Sequence, residues 1–218
     1  SSLVEIDPRR QLEIPYERIG LLESQREQLR PVLESTEGLV VVAAPPKQGR
    51  TVTLYSLIQQ HDPYLQDIHS LEAETELDIE GVTQNQPGDA GWAKSLNTVV
   101  LKDPAIIMVS QIPDTDTAKV AVDASLDHKR IYVGVNGTDT FSALKGWAKV
   151  VGDLNRLADS LKAVTAQRLI RKLCPTCRTA YTPDPAALKK MNLSAERVGQ
   201  FYKASGKITE GNKTEPCP

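Results

Sequence analysis

The segment Leu39-Val-Val-Val-Ala-Ala44 constrains the fold more than any other part of the chain. It is apolar without interruption and rich in β-branched residues. Alternating patterns mark strands with one wet face, whereas an unbroken run marks a strand covered on both faces, as in a parallel sheet. A polar loop (45–49) and a helical stretch (50–60) follow it. Further strands are predicted at 68–71, 105–109 and 130–135. Helices are predicted at 24–34, 90–101, 115–126, 141–151 and 154–173. Asp114 or Thr115 is the N-cap of the 115–126 helix. In the 24–34 region Leu21, Leu22, Leu29 and Leu33 are the candidate buried positions. Strands alternating with helices predict an α/β domain: a mainly parallel sheet flanked by helices through right-handed crossovers.

The chain has 218 residues, 40% of them hydrophobic, which suffices for one such domain with a small appendage. Residues 1–23, with Pro8 and Pro15, read as an arm or linker; 24–173 as the α/β domain; 174–218 as a polar, lysine-rich, cysteine-containing subdomain. The net charge of -2 argues against a dedicated nucleic-acid or membrane-surface binder. No apolar run approaches the roughly 20 residues that cross a bilayer. The N-terminus is polar and shows no signal peptide, so a cytoplasmic location is expected, peripheral to a membrane only through partners.

The loop after the apolar run carries the first chemical signal. Ala44, Pro45, Pro46, Lys47, Gln48, Gly49, Arg50 and Thr51 sit between a strand and a helix, the context of a phosphate-binding loop. The pattern is Gly-x-x-x-x-Gly-Lys-Ser/Thr. Gly49 and Thr51 match, whereas Ala44 replaces the first glycine and Arg50 the lysine. Such a loop turns backbone N–H groups onto a phosphate, partly from conformations that glycine adopts cheaply. Arg50 keeps the positive charge in a bulkier planar fork. Taken alone, the segment is equally compatible with an ordinary strand–turn–helix.

Residues 38–177 resemble the motor ATPases of type II secretion and type IV pilus assembly, a family with a RecA-like P-loop core. The loop continues into Leu54-Tyr55, as the family's does. Asp78-Ile-Glu-Gly81-Val-Thr-Gln84-Asn-Gln86 is similar to the family's Asp-Ile-x-Gly-x-x-Gln-x-Gln. The block Asp103-Pro-Ala-Ile-Ile-Met108-Val109 resembles its Walker B strand, and Asp114 to Leu126 its next helix. Ala166-Gln167-Arg168-Leu169-Ile-Arg171-Lys-Leu173-Cys174-Pro175-x-Cys177 resembles its Ala-Gln-Arg-Leu-Val-Arg-x-Leu-Cys-Pro-x-Cys. The resemblance implies ATP or ADP with Mg²⁺ as ligands.

The departures fall on the chemistry. Ser110-Gln111 stands where the family has Gly-Glu, and Asn136 where its His box has histidine. Ala73 replaces the aspartate of its acidic box, leaving Glu72 and Glu76 aligned as vestigial catalytic carboxylates beside Gln111. Loss of a positioned base typically costs roughly 10²–10⁴ in rate, so the resemblance implies weak or absent hydrolysis.

Three cysteines, two of them as Cys174-x-x-Cys177, fit a metal site better than a disulfide scaffold. The family commonly holds zinc between two such pairs, and Cys217 would open the second pair, its partner lying beyond Pro218. The resemblance implies Zn²⁺ in the full-length protein. His61, His69 and His128 have no ligand spacing and are expected at the surface or in turns. Trp92 and Trp147 are expected as core or interface anchors. Glu72, Glu74 and Glu76 read either as a solvated strand end or as the remnant of a magnesium site.

Three functions remain open at this point. One is a degenerate, structural or regulatory subunit of a secretion or pilus machine. It would associate with itself, with an active ATPase or with an inner-membrane platform. The second is a working ATPase with unorthodox residues, and the third a nucleotide-independent scaffold.

Overall fold

The computed structural model describes residue 12, residues 14–190, residue 192, and residues 200–210 and 213–217. The chain forms two compact units, Ser1–Leu169 and Ile170–Pro218.

The first unit is built on β1 (Gly38–Ala43), every residue of which is buried. Its neighbours in the sheet are β5 (Arg130–Val135) and β6 (Leu161–Ala166), and outward from β5 come β4 (Ile106–Val109), β2 (Ile68–Leu71) and β3 (Val82–Asn85). All five pairings are parallel. Leu39 and Val41 pack on one face with Ile107, Val109, Ile131 and Val133. That layer is covered by helices α3 (Trp92–Val100), α4 (Thr115–Leu126), α5 (Thr140–Val151) and α6 (Leu154–Ser160). Val40 and Val42 face the other way, against Leu54, Tyr55 and Ile58 of α2 (Arg50–Ile58). One apolar run thereby supplies both layers of the core, which is why it carries no polar residue. α1 (Glu23–Glu34) precedes β1. Among the described residues no helix is long and apolar enough to cross a membrane.

Asp114 caps α4, its carboxylate accepting from Thr117 N at 2.7 Å. Asp139 does the same for α5 through Ser142 N at 2.8 Å. The expected helix over 154–173 is divided. Asp153 caps α6, which ends at Ser160, and the chain then extends as β6 beside β1. Leu154, Leu157, Leu161 and Val164 fit a helical repeat, but β1 needs a hydrogen-bonded neighbour on its second edge, and that demand decides. β3 is an edge strand with one apolar residue, Val82, followed by three polar ones, and carries no strand signal of its own.

Within the segment read as an arm, some of the described residues pack on the core. Tyr16 is buried in a short 3-10 turn, and Ile19 and Leu21 pack on the α2 side of the sheet. Leu22, expected inside, is 66% exposed at the start of α1. Expected at the surface or in turns, His61 lies in the turn that ends α2 but is buried, His69 is buried within β2, and His128 is exposed. Trp147 is buried, and Trp92 packs half-buried on the same layer.

His61 Nε2 lies 2.7 Å from the Tyr132 hydroxyl. Burial, with Arg130 nearby, lowers its pKa from 6.5 to about 4. The folded state therefore prefers the neutral ring, and stability is lost as pH falls from about 6.5 toward 4. The excess loss relative to a His61→Phe variant between pH 7 and pH 5 is expected to be about 2 kcal/mol, read from urea unfolding at each pH.

The second unit contains β7 (Arg178–Tyr181) paired antiparallel with β8 (Phe201–Ala204), and the hairpin of β9 (Lys207–Glu210) and β10 (Lys213–Pro216). α7 (Pro185–Lys190) lies in the sequence between β7 and β8.

Candidate functional site

Open parallel sheets present their ligands at the carboxyl ends of the strands. Here the turns after β1, β2, β4 and β5 gather at that edge around a cleft of about 850 Å³. The β1–α2 loop forms one wall. Gln48 N donates to Pro45 O at 3.2 Å, closing the turn. Lys47 and Gly49 both adopt left-handed backbone, with φ of 61° and 79°. Gly49 accepts this freely, whereas a side chain at Lys47 costs on the order of 1–2 kcal/mol. A strained turn at a helix entry is a common property of binding loops. α2 starts from Gly49 without a side-chain cap. Its first-turn N–H groups are thus available to an anion, which the positive end of the helix dipole also attracts.

The loop is pinned from behind. Gln167 N donates to Ala43 O at 3.0 Å, and Gln167 Nε2 donates to Gln48 O at 3.0 Å. Thr53 Oγ1 donates to Gln167 Oε1. Leu169 N donates to Gln48 Oε1 at 2.8 Å. The sequence marked Gln167 only as one letter of a matching block; its role in bracing the loop depends on β6 lying beside β1.

The structure brings most of the predicted site residues together. Pro45, Pro46, Lys47, Gly49, Arg50 and Thr51 line the cleft with Glu76, Gln111 and Asn136. Glu76 Oε1 accepts from Thr51 Oγ1 at 3.1 Å. Arg50 turns its side chain across to Asn136, with Nη1 2.8 Å from Oδ1. Gly134 gives it passage: a Cβ there would stand 3.0 Å from Arg50 Cδ and 2.2 Å from Ser110 O. Burial lowers the Arg50 pKa, but an arginine stays charged. The cation of the loop is therefore tied to Asn136.

Three predicted residues lie elsewhere. Ala44 is buried, its N–H donating to Val135 O at 3.2 Å. The Gln48 side chain points back to Leu169. Glu72, read as a vestigial catalytic carboxylate or as part of a solvated strand end, is 1% exposed and absent from the cleft wall. Its carboxylate accepts from the Tyr55 hydroxyl, the Ser70 hydroxyl and Gln84 Nε2. Gln84 is itself held by Ile79 N and Leu77 O. The carboxylate serves to tie α2, β2 and β3 together.

In the second unit Cys174, Cys177 and Cys217 converge, their sulfurs all within 4.8 Å of one another. Cys217 Sγ is 3.6 Å from Cys174 Sγ. A tetrahedral zinc with bonds of about 2.3 Å sets its sulfurs about 3.8 Å apart, so the three thiols fit that shell. Arg178 N donates to Cys174 O at 3.1 Å and Cys217 N to Gly206 O at 2.9 Å, which fix the two ends of the cluster. Hydrogen bonds from the Cys177 and Thr176 backbone lower the Cys174 thiol to about 7. Bonding to the sulfurs of Cys177 and Cys174 pushes Cys217 up to about 12.

A central parallel strand, an uncapped helix behind a strained loop, and polar groups at the carboxyl edge define a RecA-like nucleotide-binding-type fold. The family described as Type II/IV secretion system protein matches residues 5–215, and the chain belongs to it. The chain is similar to the type II secretion system protein E of Dickeya dadantii (strain 3937). The two are 29% identical over 185 residues, which cover 84% of this chain and 37% of that protein. The chain thus spans little more than a third of that relative's length. The fold is also that of the Legionella pneumophila ATPase DotB, with a TM-score of 0.60 and 15% identity over 72% of this chain and 46% of that one. The pilus retraction motor PilT, solved with bound ADP, gives a TM-score of 0.59 and 20% identity over 72% of this chain and 48% of its own.

Proposed function

We propose that this chain is the motor-type domain of a secretion or pilus assembly machine in which nucleotide hydrolysis is weak or absent, so that it serves as a structural or regulatory component. The observation that carries this reading is the Arg50–Asn136 hydrogen bond beside Gln111. The cation that would follow the transferring phosphoryl group is held by a neutral side chain. The neighbouring position offers an amide, which cannot take a proton from water. What remains favours phosphate: the uncapped start of α2, the left-handed Lys47 and Gly49, and Thr51. ADP or ATP with Mg²⁺ is accordingly the proposed ligand, held by the backbone of residues 45–51. Phosphate release by the purified chain with Mg²⁺ and ATP tests the reading.

A second reading, a working ATPase, draws on one contact. Glu76 stands at 3.1 Å from the Thr51 hydroxyl, where a carboxylate and a hydroxyl could share a magnesium ion. Turnover that disappears in Glu76→Gln would favour it.

The cysteine cluster is proposed as a structural zinc site, with Cys174, Cys177 and Cys217 as thiolate ligands. Titration with Zn²⁺ is expected to give one ion per chain. Cys177→Ser is expected to weaken it by about 10²-fold or more, read by competition with a coloured chelator. Unchanged affinity would remove the assignment. Association with a like chain, an active ATPase or an inner-membrane platform is the proposed setting, as the family resemblance implies.

A further inference from the structure

We propose that this chain associates head to tail with a second copy of itself, the Tyr64–Leu65 turn of one copy seating in the apolar groove between α5 and α6 of the next. The turn lies in the connection from α2 to β2. Tyr64 is 89% and Leu65 83% exposed. Their backbone is nevertheless held. Asp62 O accepts from Leu65 N at 3.1 Å and from Gln66 N at 3.0 Å, and Asp62 Oδ1 accepts from Tyr64 N at 2.9 Å. Pro63 is seated on Gly81, where a Cβ would stand 2.4 Å from Pro63 Cβ. Two large apolar side chains on a braced turn reach a partner at little further cost in ordering.

The groove has a volume of about 820 Å³. Phe141 and Leu144 of α5, Leu154 and Leu157 of α6, and Leu161 at the start of β6 line it. Phe141 is 83% and Leu154 67% exposed. Exposed apolar residues scattered singly are ordinary, whereas several joined in one groove mark a docking surface.

Charge commits the occupant to a second copy. Lys145 is the one charged residue on the groove lining, and Lys149 follows it one helical turn later, exposed. Neither has a carboxylate within ion-pair distance among the described residues. The turn is bracketed by two exposed aspartates, Asp62 and Asp67. The neighbour of Asp67 is His69, at 3.3 Å, a ring that burial keeps neutral. Acids beside an apolar knob thus face lysines beside an apolar groove, and such complementarity orients an encounter. The two surfaces cannot meet within one copy. The turn follows α2 and adjoins His61, which bonds Tyr132 on the α2 face of the sheet. The groove lies in the opposite helix layer, at the β6 end of the strand order. The contact therefore runs from each copy to the next and is heterologous. Seating the two side chains covers on the order of 350 Å² on each partner. The total, about 700 Å², falls short of the roughly 1,200 Å² of a stable interface, so a dissociation constant of about 0.1–1 mM is expected.

The test is sedimentation velocity of the whole chain, without nucleotide, from about 10 µM to about 1 mM. No outcome depends on hydrolysis, so its failure is separate from a failure of the proposed function. The average mass is expected to rise with concentration. One variant, Tyr64→Ser with Leu65→Ser, removes the knob; another, Phe141→Ser with Leu154→Ser, removes the groove. All four positions are exposed, so the fold should tolerate both. Each variant alone is expected to stay monomeric. Their equimolar mixture reunites one intact turn with one intact groove, and is expected to form a dimer that grows no further. Lys145→Glu should weaken the association of the otherwise unaltered chain about two- to fivefold, as loss of an exposed charge pair does. A chain that stays monomeric at about 1 mM overturns the proposal. So does association that either double variant retains, or a mixture that remains monomeric while the unaltered chain associates.

Discussion

Replacing Arg130 with alanine is expected to lower the unfolding free energy by about 3–5 kcal/mol, the largest single-residue effect in the first unit. Arg130 opens β5 and is fully buried. Among the described residues it has no carboxylate within ion-pair distance. Its partners are carbonyls: Nη2 donates to Val32 O at 2.8 Å and Ser35 O at 2.7 Å, and Nη1 to Gly38 O at 3.4 Å. The first two close the C-terminal end of α1, whose last carbonyls have no partner within the helix. That end also carries the negative pole of the helix dipole, so a cation is favoured there. Alanine would leave these carbonyls buried and unmatched. Lysine has a single ammonium and no planar fork, so Arg130→Lys is expected to recover less than half of the loss. Urea unfolding of the three proteins reads the effect. A loss below about 1 kcal/mol in the alanine variant would mean that the carbonyls find water instead.

Glu72→Ala is expected to cost about 3–4 kcal/mol, again in stability. The Tyr55 and Ser70 hydroxyls and Gln84 Nε2 all donate to this carboxylate in a buried setting. Removing the acceptor leaves the Tyr55 and Ser70 hydroxyls without a partner and Gln84 Nε2 with Leu77 O alone. Tyr55 is coupled to it: burial and the adjacent carboxylate raise the phenol's pKa, so the hydroxyl keeps its proton and donates. A double-mutant cycle with Tyr55→Phe is expected to give a coupling of about 1.5–3 kcal/mol, the range for a hydrogen bond to a charged group. Because Glu72 is off the cleft wall, its loss should change unfolding and leave nucleotide affinity of the folded protein unaltered. A selective loss of nucleotide affinity at unchanged stability would return Glu72 to the site.

Much of this was legible in the chain. β1 could be read from its unbroken apolar run because both its faces are covered, and α4 from Asp114 because a cap is a local device. The replaced positions Arg50, Gln111 and Asn136 could be read as residue types. β6 could not, because Leu154, Leu157, Leu161 and Val164 satisfy a helical repeat and only the free edge of β1 selects a strand. β3 carries no apolar pattern, being a mostly polar strip recruited by β2. The burial of Glu72 was hidden because its donors come from α2, β2 and β3, brought together by topology alone. The same holds for the bond between Arg50 and Asn136, 86 positions apart.

These last features carry the proposed function. The start of α2 has no side-chain cap, while Arg50 bonds Asn136 and position 111 is an amide. The most direct measurement is steady-state phosphate release by the purified chain with saturating Mg²⁺ and ATP. The account predicts turnover at least about 10²-fold below 1 s⁻¹, the scale set by loss of a positioned base. Turnover near 1 s⁻¹ that is lost in Thr51→Ala would contradict it and make this chain a working motor ATPase.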